Sequence, residues 1–420
     1  MRNYFHCLNT FFKIFCSILL FYSNFVLGQS MNGNLNDYLK VKSSTDSVRI
    51  KYEEVSGHDC PSLSILIHTP NDIIFASSTA MDEPTLTKDT YFRFASNTKN
   101  FTSASVLKMQ EDGWLNIKNK LIDTIPGSKI TYLPDDPDFE IPYLREITIE
   151  QLLQHSAGVY DVDNDTVPGC NGNSYTDYMT YKDPAHQFEL AELIRQNAIN
   201  QLSYFPPGKG YHYSNTGYTV LSLIIERVYS FRVNNKKVYA DYINDFITGR
   251  TTKVPLDIYF PYLANDISLK TPFIKGTIYT KDSTTVYNQV NMSAHVGEGN
   301  GYATFTDLDN YIRSMLKGEN ILSPGSIELM KNTVSDSNKT YALGCFFIED
   351  LGYGHNGCIK GYLSNMLYDP VTDVSLIIMM PVNDYSHPDE EGIVYGLKAL
   401  ANAGFSARMK LGFPGRKLDY

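Results

Sequence analysis

The 420-residue sequence contains no H-E-x-x-H, no C-x-x-C and no G-x-S-x-G. Zinc-peptidase and α/β-hydrolase readings therefore lack their anchoring residues. It has no internal repeat and no low-complexity tract. Its formal net charge of -10 comes with interspersed lysines and arginines rather than a basic stripe interleaved with aromatics, so nucleic acid is not an expected partner. Beyond the first 28 residues no apolar run approaches the length that spans a membrane. The glycines Gly297, Gly299 and Gly301 lack the preceding strand a nucleotide loop needs. Asp135, Asp136 and Asp138 read as a solvated loop in preference to a calcium site.

What is present belongs to a globular chain, 43% hydrophobic and 20% charged, long enough for a large core or two packed subdomains. The first residues carry Arg2 and Lys13, then an apolar run from Ile14 to Leu27, then Gly28. That order fits a secretory signal peptide over residues 1–28, which places the rest in a secreted or periplasmic compartment. An N-terminal anchor is the alternative, but the run is short and is interrupted by Tyr22, Ser23 and Asn24. Cys16 follows Phe15 and not a small residue, which disfavours a lipoprotein.

Cys60, Cys170, Cys345 and Cys358 remain after the leader, and four cysteines allow three pairings. If "YALGCFF" and "GHNGCIKG" form a hairpin with a symmetric register about "EDLGYG", Cys345 stands opposite Cys358, within reach of a bridge. Two buried free thiols are the alternative.

The pattern along the chain predicts an α+β fold. "SLSILIHTP" and "DIIFASST" read as a hairpin turning at Thr69 to Asp72. Thr148 with Gln151 opens a helix by a capping box, and "SNTGYTVLSLIIERVYS" is helical by spacing. Strands return after Tyr341 in "YALGCFFIE", "YGHNGCIKGY", "SNMLYDP" and "VSLIIMMP", and "EGIVYGLKALANA" closes the chain as a helix. One antiparallel sheet built from about 60–95 and 340–420 is expected, flanked by helices, with a helical subdomain at about 96–339 inserted. Residues 29–420 then form a single domain with its cleft between the two parts. The pattern-poor stretches from Asp161 to Asp183 and from Arg250 to Thr285 are expected to shape a pocket.

Three short constellations bear chemistry. Ser96 and Lys99 stand one helical turn apart, a hydroxyl and an amine on one face, and a desolvated lysine can activate a serine. Tyr213, Ser214 and Asn215 precede a helix, where a tyrosine can relay a proton and an asparagine can hold both a lysine and a substrate amide. His355 and Gly357 alternate onto one face of a strand, where glycine admits a close backbone. Taken singly each has a bland reading: a chance spacing, a helix cap, a structural histidine.

In order and context the three resemble the serine β-lactamase and penicillin-binding superfamily. The blocks "FRFASNTKNFTSASVLKMQEDGWLNI", "ITIEQLLQHSAGV", "FPPGKGYHYSNTGYTVLSLIIERV", "GNGYATFTDLDNYIRSML" and "GHNGCIKGYLSNMLYDPVTDVSLIIMM" are similar to those of its class C-like branch, which spans D-alanyl-D-alanine carboxypeptidases, D-aminopeptidases, esterases and class C β-lactamases. The resemblance runs from about Ser62 to Ala403. It implies a β-lactamase/transpeptidase-like fold and a serine hydrolase that needs no metal or organic cofactor. Ser96 would be the acylated nucleophile, Lys99 its activator and Tyr213 the second proton carrier. Asn215 would contact the substrate amide and the lysine, and the N–H groups of Ser96 and Cys358 would form the oxyanion hole, each donor worth ~3 kcal/mol.

His355 stands where the superfamily's K-T-G has lysine. That departure points to peptidase, aminopeptidase or esterase substrates over β-lactams, and Cys358 replaces a pocket hydroxyl. The expected substrate is a small peptide or ester, with a β-lactam as the alternative, and the contrasting reading is an inactive binding or sensor protein. "NFT", "NDT", "NMS" and "NKT" are glycosylation sequons, the first starting at Asn100, where a glycan would hardly fit beside Lys99.

Overall fold

In the computed structural model, which describes residues 35–81, 83–249 and 252–420, the side chains of strand β1 (Ser62–His68) part to two cores. Ile65 and Ile67 face helices α1 (Leu35–Ser56) and α10 (Glu391–Lys410), while Leu66 joins the larger cluster on the opposite face. Strand β10 (Val374–Met380) divides likewise, Leu376 and Ile378 to the first cluster and Ile377 and Met379 to the second. Each such wholly buried side chain contributes about 1.5–3 kcal/mol by leaving water. A sheet buried on both faces accounts for the continuous apolar runs in these strands.

The sheet has six strands in the order β2-β1-β10-β9-β8-β7, all neighbours antiparallel. Strand β2 (Ile73–Thr79) returns from β1 through the expected turn, where Thr69 N–H donates to the Asp72 carbonyl at 2.9 Å. Strand β9 (Tyr362–Asp369) lies between β10 and β8 (Gly352–Ile359). The edge strand β7 (Phe346–Ile348) covers only Gly352 to Gly354 of β8. From His355 to Ile359 the outer edge of β8 has no strand partner among the described residues.

Between the two halves of the sheet lie α2 (Thr98–Glu111), α3 (Ile149–Leu153), α4 (Tyr175–Lys182), α5 (Leu190–Asn200), α6 (Asn215–Val233), α7 (Tyr239–Tyr242), α8 (Phe305–Leu316) and α9 (Pro324–Asn332). The Thr148 capping box is present: its side chain accepts from Gln151 N–H while Gln151 accepts from Thr148 N–H. This stretch is not wholly helical. Strands β4 (Gly276–Thr280) and β5 (Thr284–Tyr287), rich in β-branched residues, join β11 (Val382–Tyr385) in a second sheet, and β6 (Tyr302–Thr304) pairs with β3 (Tyr91–Arg93).

The hairpin register differs from the symmetric one. Ile348 pairs with Gly352 and Phe346 with Gly354, because the chain turns through left-handed Asp350 (φ 66°) and Gly352 (φ 100°). Cys358 instead faces Leu363 on β9, and Cys60, Cys170, Cys345 and Cys358 are all free thiols. The bridge between Cys345 and Cys358 is therefore not formed.

The expected leader, residues 1–28, lies outside the described residues. None of the described helices is long and apolar enough to cross a membrane. Asp136 caps a short turn by accepting from Asp138 N–H at 2.9 Å, and Asp138 pairs with Arg195. Asn100 is wholly buried, donating to the Gly344 carbonyl at 3.0 Å and accepting from Tyr311 at 3.0 Å. At the other end, the tail folds back along α10 through a reciprocal pair between Asn402 and the backbone of Leu418.

Candidate active site

Strand β3 delivers the chain to a tight bend before α2. Ala95 takes φ 54°, a left-handed conformation that costs a residue with a side chain roughly 1–2 kcal/mol. The bend is braced from the sheet: the Phe94 carbonyl accepts from Asn97 Nδ2 at 2.7 Å and from Ser364 Oγ of β9 at 3.0 Å. Ser96 emerges here, partly exposed, while Lys99 one turn later is wholly buried.

Lys99 Nζ lies 3.2 Å from Ser96 Oγ and donates to Asn215 Oδ1 at 2.7 Å. It also donates to the Glu298 carbonyl at 3.0 Å and to Glu298 Oε2 at 3.3 Å. Asn215 is the first residue of α6, whose N-cap Ser214 accepts from Gly217 N–H. Tyr213, just before that cap, presents its ring 4.8 Å from Lys99 Nζ. Burial holds the Tyr213 hydroxyl well above its ordinary range, with a hydrogen bond to Ser96 pulling the other way. It is therefore a phenol, the form that can give a proton away.

His355 is 1% exposed and both ring nitrogens are occupied. Nδ1 donates to the Asn356 carbonyl, so Nε2 accepts from the Tyr341 hydroxyl at 2.9 Å. Burial, reinforced by the charge of Lys99, depresses its pKa to about 3, and the ring is neutral at physiological pH. Gly357 faces the Ser96 bend: a Cβ there would lie 2.3 Å from the Phe94 carbonyl and 2.8 Å from Ala95 Cβ. Its lack of a side chain lets β8 press against the Ser96 turn. Cys358 follows on the unpaired edge, its Sγ accepting from Asn383 Nδ2 at 3.4 Å. The structure thus gathers Ser96, Lys99, Tyr213 and Asn215 directly, and sets His355, Gly357 and Cys358 on the strand alongside.

Beside them opens a cleft of about 370 Å³ lined by Tyr211, Tyr213, Tyr341, Phe346 and Phe347, with His355 and Asn356 in its wall. A second cleft, about 400 Å³ and lined by Leu256, Asp257 and Tyr259 from the stretch after Arg250, shares no residue with it.

Four functional candidates escape sequence reasoning. Asp163 lies in the pattern-poor loop and accepts from Asn215 Nδ2 at 2.7 Å. His295 Nδ1 contacts Glu298 Oε1 at 2.7 Å and Asp163 Oδ2 at 3.4 Å. Burial opposes a charged imidazole, but Asp163 and Glu298 outweigh it and push His295 up to about 10. Burial likewise works against the Asp163 carboxylate, yet the charge and hydrogen bonds of His295, with bonds from Thr176 and Asn215, hold it well below its usual range. Asp161, whose carboxylate accepts from Asn215 N–H, is raised to about 7 by burial and by Asp163.

The fourth candidate, Glu298, hides between the glycines that resembled a nucleotide loop. Gly297 (φ 74°) passes so near α6 that a Cβ would meet Ser222 Oγ at 1.7 Å. Acids beside glycines and a lone histidine carry no periodic signal, so only tertiary folding reveals their meeting.

Among the described residues two groups have metal-ligating composition, Asp163 with His295 and Glu298, and His58 with Asp384 and His387. In the first a cation would have to displace the proton shared by His295 and stand beside the Lys99 ammonium. Like-charge repulsion there disfavours it.

The family model described as Beta-lactamase matches residues 49–401. Penicillin-binding protein 4* of Bacillus subtilis (strain 168) is 27% identical over 188 residues, 44% of this chain and 35% of the relative. Protein flp of Staphylococcus aureus (strain MW2) is 24% identical over 312 residues, 70% of this chain and 53% of the relative. The alignments thus take in about a third to a half of these curated relatives' length. Among solved structures, a D-stereospecific amidohydrolase from Streptomyces sp. has a TM-score of 0.61 at 18% identity, covering 85% of this chain and 97% of that one. D-amino acid amidase from Ochrobactrum anthropi SV3 gives 0.61 at 19%, covering 86% and 98%. A penicillin binding protein from Bacillus halodurans gives 0.58 at 18%, covering 84% and 98%. At these identities the structural likeness is one of fold.

Proposed function

The chain belongs to the beta-lactamase family, and from that premise we propose that it is a serine hydrolase that forms an acyl-enzyme on Ser96 with small amides or esters whose acyl part carries an apolar, uncharged side chain. The observation that carries this reading is the cleft bordered by Tyr213 and His355. Aromatic rings line it, and the residue in its wall that could have been a cation, His355, is neutral and fully hydrogen-bonded. A free substrate carboxylate finds no positive partner there, which weighs against carboxypeptidase and penicillin substrates. The names of two structural neighbours, a D-stereospecific amidohydrolase and a D-amino acid amidase, support an amide of a D-amino acid as first choice. A leader of the kind the first 28 residues are expected to form would place the protein in a secreted or periplasmic location.

The chemistry follows from the contacts. Ser96 Oγ attacks the carbonyl carbon as Lys99, in its amine form, takes the hydroxyl proton. The electron pair of the C=O bond moves onto oxygen, where the N–H groups of Ser96 and Cys358 would receive it, Cys358 being on the unpaired edge of β8. The Tyr213 phenol supplies the proton that lets the amine or alcohol leave. Water then repeats the steps in reverse to release the acid. An extended substrate backbone can lie along the same edge of β8.

The test is intact-protein mass spectrometry of wild type and Ser96→Ala with a fluorophosphonate, followed by turnover of D- and L-phenylalanine amide, p-nitrophenyl esters, D-alanyl-D-alanine peptides and a penicillin. One adduct on wild type alone, with phenylalanine amide or an aromatic ester turned over fastest, is the expected result. Absence of any adduct in a folded sample sinks the enzyme reading, and a preference for the peptide or the penicillin sinks the substrate reading.

A further inference from the structure

We propose that Glu298 is a positioning residue for Lys99, held for that task by His295 and Asp163. The inference rests on the reading of Lys99 as the activator of Ser96. Its basis is a closed circuit of side chains: Lys99 to Glu298, Glu298 to His295, His295 to Asp163, Asp163 to Asn215, and Asn215 back to Lys99. The five side chains come from four separate places in the chain, His295 and Glu298 being three residues apart, and all are largely buried; Lys99 is 0% and Glu298 3% exposed.

The charges in the circuit balance. Lys99 and His295 supply two cations, Glu298 and Asp163 two anions, and Asn215 bridges the ends through its neutral amide. Losing one member leaves a buried charge uncompensated, which is far costlier than losing a surface partner. The backbone is shaped to bring the acid in. Glycines flank Glu298, and Gly297 sits in a left-handed bend against Ser222 that a side chain would block. Glu298 meets Lys99 twice, through its carbonyl and its carboxylate.

The other titratable groups facing Lys99 do not offer a charge. Burial keeps Tyr213 and Tyr218 as phenols. Burial and Lys99 itself keep His155 and His355 neutral. Asp161 faces Asp163 and the backbone of Asn215 rather than the amine. Among the described residues Glu298 is thus the carboxylate in contact with Lys99. Four acceptors, Ser96 Oγ included, share three ammonium hydrogens, so the carboxylate competes with the nucleophile for them. How firmly His295 holds Glu298 then decides how the amine is aimed at Ser96.

The experiment compares wild type, Glu298→Gln, His295→Asn and the double variant in the acylation of Ser96 by an aromatic p-nitrophenyl ester between pH 5 and 10, with melting temperature as a fold control. Fluorophosphonate labelling of wild type against Ser96→Ala comes first, because its failure removes the reading beneath the inference and is recognised before any Glu298 variant is made. The expected result for Glu298→Gln is a ~10- to 100-fold lower kcat with KM within about twofold, the scale of a mispositioned proton-transfer group. The rising limb of its pH profile moves to lower pH, since the amine sheds its proton more readily beside a neutral amide. The double variant is about as impaired as the worse single, as expected of residues acting as a unit.

A Glu298→Gln profile that superimposes on wild type after scaling overturns the proposal, as do single effects that multiply in the double variant. Should Glu298→Gln not fold, Asp163→Asn at the far side of the circuit tests the same displacement of the limb. A crystal structure of Glu298→Ala gives a readout without turnover: Lys99 Nζ is expected to leave its place on Ser96 Oγ, and an unmoved Nζ overturns the proposal.

Discussion

Lys99 Nζ donates to Asn215 Oδ1 at 2.7 Å and thereby ties α2, the helix that follows the Ser96 bend, to the first turn of α6. The two residues are 116 positions apart in sequence. The amine that serves the chemistry is also a joint between two packed elements, and the predictions below separate these duties.

Lys99→Ala removes the activating amine. Ser96 acylation is expected to fall by about 10²- to 10⁴-fold, the range for loss of a general base. Stopped-flow acylation with a chromogenic ester measures it, and retention of more than a tenth of the wild-type rate would contradict the assignment.

Gly357→Ala puts a methyl 2.3 Å from the Phe94 carbonyl. The catalytic bend must then move, and both stability and turnover drop together, stability by about 1–3 kcal/mol as in overpacked cores. Urea unfolding midpoints and kcat report the two effects. A variant of unchanged midpoint would show that β8 does not press on the bend.

His355 makes stability depend on acid in a defined window. Its folded-state pKa is depressed to about 3 from an ordinary 6.5. The stability it contributes is complete above pH 6.5 and is lost as pH falls from there toward 3, with a slope of at most about 1.4 kcal/mol per pH unit. His155, depressed in the same direction, adds to it. Melting temperatures between pH 8 and 4 for wild type and His355→Asn give the comparison: the wild-type curve falls more steeply if the buried neutral ring is the cause.

The cysteines of the described chain are free. Alkylation in denaturant without reductant is expected to modify Cys60, Cys170, Cys345 and Cys358, and added reductant should leave the melting temperature unchanged. A linked peptide pair after digestion would refute this.

The legible part of the protein was the part written in local patterns. The hairpin of β1 and β2, the Thr148 cap, helix α6 and the apolar strands near the end all follow from periodicity or punctuation; the Tyr213 and His355 motifs adjoin or lie on them, and Ser96 lies in the bend between β3 and α2. The missed part depends on long-range geometry. A symmetric turn sets Cys345 opposite Cys358, whereas left-handed Asp350 and Gly352 tighten the turn and shift the register. Helix α1 has little amphipathic pattern and gains its stability by packing against α10 and β2. Glu298, His295 and Asp163 have no common periodicity, so their circuit exists only once the chain has folded.

The fold-back of Leu418 onto Asn402, and the packing of α1 beside α10, put both segments in the layer across the sheet from α2. Loss of either segment would therefore uncover Ile65, Leu376 and Ile378 on that face of the sheet and open the cluster to water.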